Sequence, residues 1–242
     1  MRSAPDRSEP VLPPSIESVD LGHPLFLLNL KAFSGHLGPG AVRVAKLLEV
    51  VGNQTGVRVA IAPPLPDLAW VVQSVSIPVL AQHVDPGDAG SRTGFAPVDA
   101  VAAAGAKGSL VNHSEHPLDP GAVEDVVGRL AARGLVAVVC ASDVAAARRL
   151  AETRPPYLAV EPPELIGGNR AVSTARPEVV SGTVAAVRSV APGTRVLCGA
   201  GVHDRHDVRR ALELGAEGVL VASAVTRAPD TERAIRELLS GF

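Results

Sequence analysis

The feature that most constrains this chain is a repeated alternation. From Leu25 onward, eight runs of four to six mostly apolar residues occur: Leu25–Asn29, Arg58–Ala62, Val79–Gln82, Gly108–Asn112, Val136–Ala141, Tyr157–Val160, Arg195–Cys198 and Gly218–Val221. They are too short for helices and too continuously apolar for strands with one wet face, so they read as strands buried on both sides. Helical patterning fills the intervals. Ala41–Thr55 carries Val44, Leu47, Leu48 and Val51 on one stripe, and Val123–Arg133, Val144–Thr153, Pro177–Val190, Asp207–Leu214 and Glu232–Leu239 follow suit. Pro97 and Pro177 suit first helical turns, Asp143 suits an N-cap, and Gly134 and Gly215 suit helix stops.

Strands alternating with helices make a parallel sheet, because each crossover needs a helix. Eight units with no strand left over fit a closed, single-domain α/β barrel of the (β/α)8 kind better than an open sheet. The length of 242 residues suits one such barrel. With only 2% aromatic residues among 46% hydrophobic, its core must be built from Val, Leu, Ala and Ile. The barrel domain is expected over residues 25–242. Residues 1–24 hold five prolines and several charges but no apolar core of a secretory signal, so they are expected to form a flexible Pro-rich extension.

Charge excludes some functions. The net charge is -2 and no basic block exceeds a pair, so no nucleic-acid partner is expected. No apolar stretch reaches the about 18 residues that span a bilayer, so no membrane partner is expected either. Cys140 and Cys198 both sit inside apolar runs and read as reduced core thiols of a cytoplasmic protein.

In such barrels the chemistry lies where strands end. The first run ends Asn29-Leu30-Lys31, and Lys31 is one of only three lysines among 23 basic residues. Lysine there places a compact charge at the mouth, although a solvated surface lysine has the same sequence. The fourth ends Asn112-His113-Ser114-Glu115, where His113 is either structural or catalytic. The sixth ends on Glu161, a carboxylate that is expensive beside an apolar strand unless the site uses it. Pro162-Pro163 and then Gly167-Gly168-Asn169 follow it, reading as a lid with a stiff hinge. The last two end Gly199-Ala200-Gly201 and Ala222-Ser223-Ala224, small enough for a phosphate to meet backbone amides, or simply tight turns. An ammonium, an imidazole, a carboxylate, a lid and an anion nest suit proton abstraction beside a carbonyl in a small phosphorylated substrate. Gln82-His83 with Asp85, and His203 to His206, are the nearest approaches to metal-ligand spacing, and no metal is expected.

These segments resemble the triosephosphate isomerase family, specifically its compact archaeal-type branch. The resemblance covers Leu25 to Phe242. It rests on Asn29-Leu30-Lys31, Ala81-Gln82-His83-Val84-Asp85, Asn112-His113-Ser114-Glu115, Val160-Glu161-Pro162-Pro163-Glu164-Leu165-Ile166-Gly167 and Leu197-Cys198-Gly199-Ala200-Gly201, in that order. It implies an isomerase of glycolysis and gluconeogenesis that interconverts glyceraldehyde 3-phosphate and dihydroxyacetone phosphate through an enediolate, without cofactor. It implies Glu161 as base, His113 as neutral electrophile, Lys31 as the fixed positive charge with Asn29 beside it, and Glu115 as a supporting carboxylate. Gly167, Gly201, Ala222 and Ser223 match phosphate-gripping positions. A homo-oligomer, tetramer or dimer, is implied too, with the loop over residues 87–94 entering a neighbouring subunit. The lid differs from the family pattern at Gly168-Asn169-Arg170-Ala171, as does the loop His203-Asp204-Arg205-His206. Those departures admit the same chemistry on a tetrose phosphate, or a non-catalytic phosphate-binding barrel.

Overall fold

The computed structural model describes residues 19–162 and 172–242. Among them, eight parallel strands form one sheet: β1 (Leu25–Asn29), β2 (Arg58–Ala62), β3 (Leu80–Ala81), β4 (Gly108–Val111), β5 (Val136–Ala141), β6 (Tyr157–Val160), β7 (Arg195–Cys198) and β8 (Gly218–Val221). The order is β2-β1-β8-β7-β6-β5-β4-β3. A parallel bridge between Ile61 and Val79 joins the two ends, so the sheet closes into a (β/α)8 barrel. The helices are α1 (Pro39–Thr55), α2 (Leu68–Ser74), α3 (Val98–Ala103), α4 (Pro120–Ala132), α5 (Val144–Leu150), α6 (Val172–Ala175), α7 (Pro177–Val190), α8 (Arg205–Glu213), α9 (Ser223–Thr226) and α10 (Thr231–Leu239).

Two-residue periodicity divides each strand between two cores. Leu25, Leu27, Ala60, Leu80, Leu110, Val138, Cys140, Tyr157, Ala159, Leu197 and Leu220 cluster together inside the barrel. Phe26, Leu28, Ile61, Val111, Val139 and Val160 belong to the layer that packs on the helices. Small Ala60 and Ala159 offset the larger leucines, as a filled interior requires. Each fully buried Leu contributes roughly 1.5–3 kcal/mol relative to exposure. β8 opens on Gly218 because the wall is tight there: a Cβ would lie 2.1 Å from the Leu25 carbonyl oxygen.

Some local expectations need correction. β3 is two residues long, not four, and β4 stops at Val111. Pro97 is the residue before α3, not a member of its first turn. Asp143 does cap α5, accepting the Ala146 amide at 2.8 Å. Gly134 and Gly215 take φ of 67° and 93° at their helix ends.

The expected extension over residues 1–24 is only partly within view. Residues 1–18 lie outside the described residues, but 19–24 are docked. Leu21 is buried with the barrel-interior cluster. The Tyr157 hydroxyl lies 3.0 Å from both Asp20 Oδ1 and the Gly22 carbonyl oxygen. Arg195 grips Asp20 with both terminal nitrogens, Nη2 donating to Oδ2 at 3.1 Å. Tyr157 and Arg195 open β6 and β7, so this cluster floors the barrel at the end opposite the strand termini that carry the candidate site. The Arg195 bond, then the Gly22 amide, hold the Asp20 carboxyl well below the ordinary range.

Candidate active site

The strand ends converge on one cleft of about 170 Å³, lined by Asn29, Lys31, His113, Glu115, Glu161, Gly201, Ala222 and Ser223 among the described residues. Local backbone geometry explains how polar side chains arrive there. Asn29 ends β1, buried, and its Oδ1 accepts the Lys31 amide at 2.9 Å. That bond holds Lys31 at φ 51°, a left-handed conformation unfavourable for a side chain with a Cβ. The turn points Lys31 Nζ at Glu115 Oε1, 2.6 Å away. Gln82 secures the same turn. Its Nε2 lies within 3.0–3.1 Å of Asn29 Oδ1 and of the Lys31 and Ala62 carbonyls, two of which an amide can serve at once.

Asn112 repeats the device after β4. It takes φ 60°, donates from Nδ2 to the Cys140 carbonyl at 2.9 Å and accepts the Leu118 amide at Oδ1 at 2.9 Å. Asparagine tolerates this conformation better than most residues. His113 then enters the cleft almost fully buried. Its Nδ1 lies 3.1 Å from the Glu115 amide. An amide can only donate, so Nδ1 accepts and the neutral ring carries its proton on Nε2. Burial, then the charge of Lys31, depress the imidazole pKa, which favours that neutral form.

Glu161 follows β6. The parity of β6 turns it into the barrel with Tyr157 and Ala159 below. It is 3% exposed, and Oε2 has no hydrogen-bond partner among the described residues. His113 Nε2 lies 3.6 Å from that oxygen, beyond hydrogen-bonding range. Burial pushes the carboxyl up to about 8; a bond with the Cys140 thiol and the charge of Lys31 oppose the rise. Room for the side chain comes from Gly199, where a Cβ would lie 2.5 Å from Glu161 Cγ. The result is a desolvated, strongly basic carboxylate facing a neutral proton donor, with a lysine cation in the same cleft.

The structure therefore brings Asn29, Lys31, His113, Glu115 and Glu161 together, with Gly201, Ala222 and Ser223 on the same cleft. Gly167 and the rest of the expected lid, including Gly168-Asn169-Arg170-Ala171, lie outside the described residues. Both tempting metal spacings have structural partners: His83 contacts Asp85 at 3.3 Å and stacks on His116, while Asp207 accepts the His203 amide at 3.0 Å. Among the described residues, no group of three or more His, Cys, Asp or Glu side chains is placed to hold a metal ion. Sequence reasoning missed Cys140, the space at Gly199, the brace at Gln82, and Phe33 with Arg227 at the rim. Inward parity along Val136, Val138 and Cys140 was the available signal for the thiol; the space at Gly199 has none, since it depends on how β6 and β7 approach.

Comparison with known proteins points to one family. The family model described as triosephosphate isomerase matches residues 24–238. The triosephosphate isomerase of Methanothermus fervidus is 44% identical over 220 residues, 91% of this chain and 99% of its own. That of Methanopyrus kandleri is 47% identical over 221 residues, covering 90% and 98%. That of Methanocaldococcus jannaschii is 43% identical over 215 residues, covering 89% and 98%. On a match that spans most of its length and relatives aligned nearly end to end, the chain belongs to the triosephosphate isomerase family.

Proposed function

We propose that this chain interconverts glyceraldehyde 3-phosphate and dihydroxyacetone phosphate by acid–base chemistry of its own side chains. The Glu161 carboxylate removes a proton from the carbon beside the carbonyl. The C–H electron pair becomes the C=C bond of an enediolate, and the carbonyl oxygen takes the charge. His113 donates its Nε2 proton to that oxygen and takes one back from the hydroxyl on the adjacent carbon, whose oxygen becomes the new carbonyl, while Lys31, positioned by Asn29 and Glu115, offsets the negative charge. Glu161 then returns its proton to the former carbonyl carbon, so Glu161 and His113 each end as they began and atoms and charge balance. The backbone at Gly201, Ala222 and Ser223 takes the phosphate, with Gly167 as the matching lid position. One observation carries this reading: a buried carboxylate with an unpartnered oxygen 3.6 Å from the Nε2 of a neutral imidazole, on an open cleft.

Two coarser expectations belong to the same proposal. A homo-oligomer is supported by the loop over residues 87–94, which ends beside an exposed Phe95 stacked under Arg92. A cytoplasmic setting is supported by two buried free thiols; no described helix is long and apolar enough to cross a membrane. The tetrose-phosphate alternative drew on the lid and the His203 loop, and parallel assays on triose and tetrose phosphates rank the two substrates.

The first test is Glu161→Gln. Turnover on triose phosphate should fall by on the order of 10²–10⁴-fold or more, with an unchanged circular dichroism spectrum; near-native turnover would remove Glu161 from the mechanism. The same variant tests the environment. A carboxyl raised from 4.5 to about 8 binds its proton more tightly in the folded chain. Native stability therefore falls as pH rises through that window. Glu161→Gln should melt above the native protein at pH 8 and match it near pH 4.5. A difference that does not change with pH contradicts the desolvated carboxyl.

A further inference from the structure

The cleft holds a second cation that the proposed chemistry leaves unused. Arg227 follows α9, beyond the Ala222-Ser223 turn, and lines the same cleft as Lys31. Several arginines of this chain pair with carboxylates: Arg129 with Asp125, Arg195 with Asp20, Arg205 with Glu237, Arg210 with Glu213 and Arg236 with Glu232. Arg227 has no carboxylate partner among the described residues; its guanidinium lies over the Phe33 ring, 5.3 Å from the centroid. Phe33 comes two residues after Lys31 and lines the cleft from the β1 side. An aromatic face supports the guanidinium without using its N–H groups, which stay available for an anion. A half-buried ring at the mouth of a polar cleft, with an exposed arginine laid across it, is a prepared fork for phosphate or carboxylate.

We propose that Arg227, held on Phe33, is a specificity-determining residue that binds the phosphate dianion of the substrate from the rim of the cleft. The assignment rests on the sugar-phosphate reading above and deepens it. Lys31 lies inside the cleft beside the reacting groups, whereas Arg227 lies on its exposed rim. Its interaction is with charge present before and after the proton moves, so it lowers KM and leaves kcat alone. It also raises the rate of capture, an effect that salt weakens.

The experiment is steady-state kinetics of Arg227→Met, which keeps the apolar stem over Phe33 and removes the charge, with Arg227→Lys beside it. Competition by inorganic phosphate and direct phosphate titration by calorimetry accompany both. Arg227→Met should raise KM for glyceraldehyde 3-phosphate and the inhibition constant of phosphate together, by about tenfold, the worth of one charge-assisted bond near a wet surface. Its kcat should stay within about twofold, and its kcat/KM should lose part of the native salt dependence. Arg227→Lys should recover part of the lost affinity, because charge returns without the fork. Unchanged KM and unchanged phosphate inhibition in Arg227→Met would overturn the proposal, as would a loss confined to kcat. The titration separates this inference from the reaction itself. A native protein that binds phosphate through Arg227 yet does not turn over triose phosphate contradicts the isomerase reading and leaves the anion site standing.

Discussion

Glu161 occupies space that Gly199 leaves open. An alanine there would place its Cβ 2.5 Å from Glu161 Cγ and 3.1 Å from Oε1, so the carboxylate must move. It cannot retreat downward, because the Cys140 thiol is already in contact with it. A displacement near 1 Å at a reacting group costs on the order of 10²-fold in rate. Gly199→Ala should therefore lower kcat/KM about a hundredfold and leave the fold intact, as kinetics and a thermal melt on one preparation would show. Native kcat/KM in that variant would mean the carboxylate has slack the geometry does not suggest. Lys31 and Asn112 show a related economy. Two left-handed residues aim the cation and the imidazole, and each is over-determined by side-chain bonds that offset a strain of order 1 kcal/mol or more.

At the scale of elements, the strands were the legible part. Six of eight have the expected bounds, because burial on both faces leaves a continuous apolar signal that stops where the mouth begins. β3 fell short because Gln82 gives its side chain to the mouth and is no longer strand. The short helices α2, α6 and α9 were not read, and α3 only through Pro97 at its start, since four to seven residues make too few turns to show a stripe. The polar residues of the site were visible as charges leaving apolar runs. Cys140 was not, because a buried thiol and a thiol beneath a carboxylate have the same sequence. The N-terminal floor was hidden by the prolines around it, and here sequence and structure predict differently. A chain starting at Val19 should melt like the native protein. Deleting through Gly22 removes the buried Leu21, worth roughly 1.5–3 kcal/mol, along with Asp20. Asp20→Ala alone should cost about 0.5–1 kcal/mol at neutral pH, since the pair is partly exposed and screened. Its folded pKa is depressed below 3.8, so that contribution is present above 3.8 and is lost as pH falls toward the folded value. Isomerase activity at room temperature should not change. Melts at pH 7 and pH 3 check the sign, and equal stability of Asp20→Ala and the native protein at pH 7 would show the floor to be idle.

Across the whole molecule the barrel wall is uneven. β5 and β6 share four register pairs, as do β4 and β5. β2 and β3 share no ladder beyond the Ile61–Val79 bridge, with the Ile61 amide donating to the Pro78 carbonyl at 3.1 Å, and β7 and β8 share the single register pair Cys198–Val219. Local opening should start where few ladder bonds must break. Native-state hydrogen exchange should therefore show Ile61, Leu80 and Ala81 amides exchanging well before those of Val138–Cys140 and Leu158–Val160. Uniform protection around the ring would contradict a weak seam.

That seam is bridged at the mouth by Gln82, and the Lys31 carbonyl is one of the acceptors its amide reaches. A weak join in the wall and the perch of the cation are thus fastened by one side chain. Warming that loosens the join would set Lys31 adrift while the other strands still stand, so the enzyme would fall silent at a temperature where its shape is still whole.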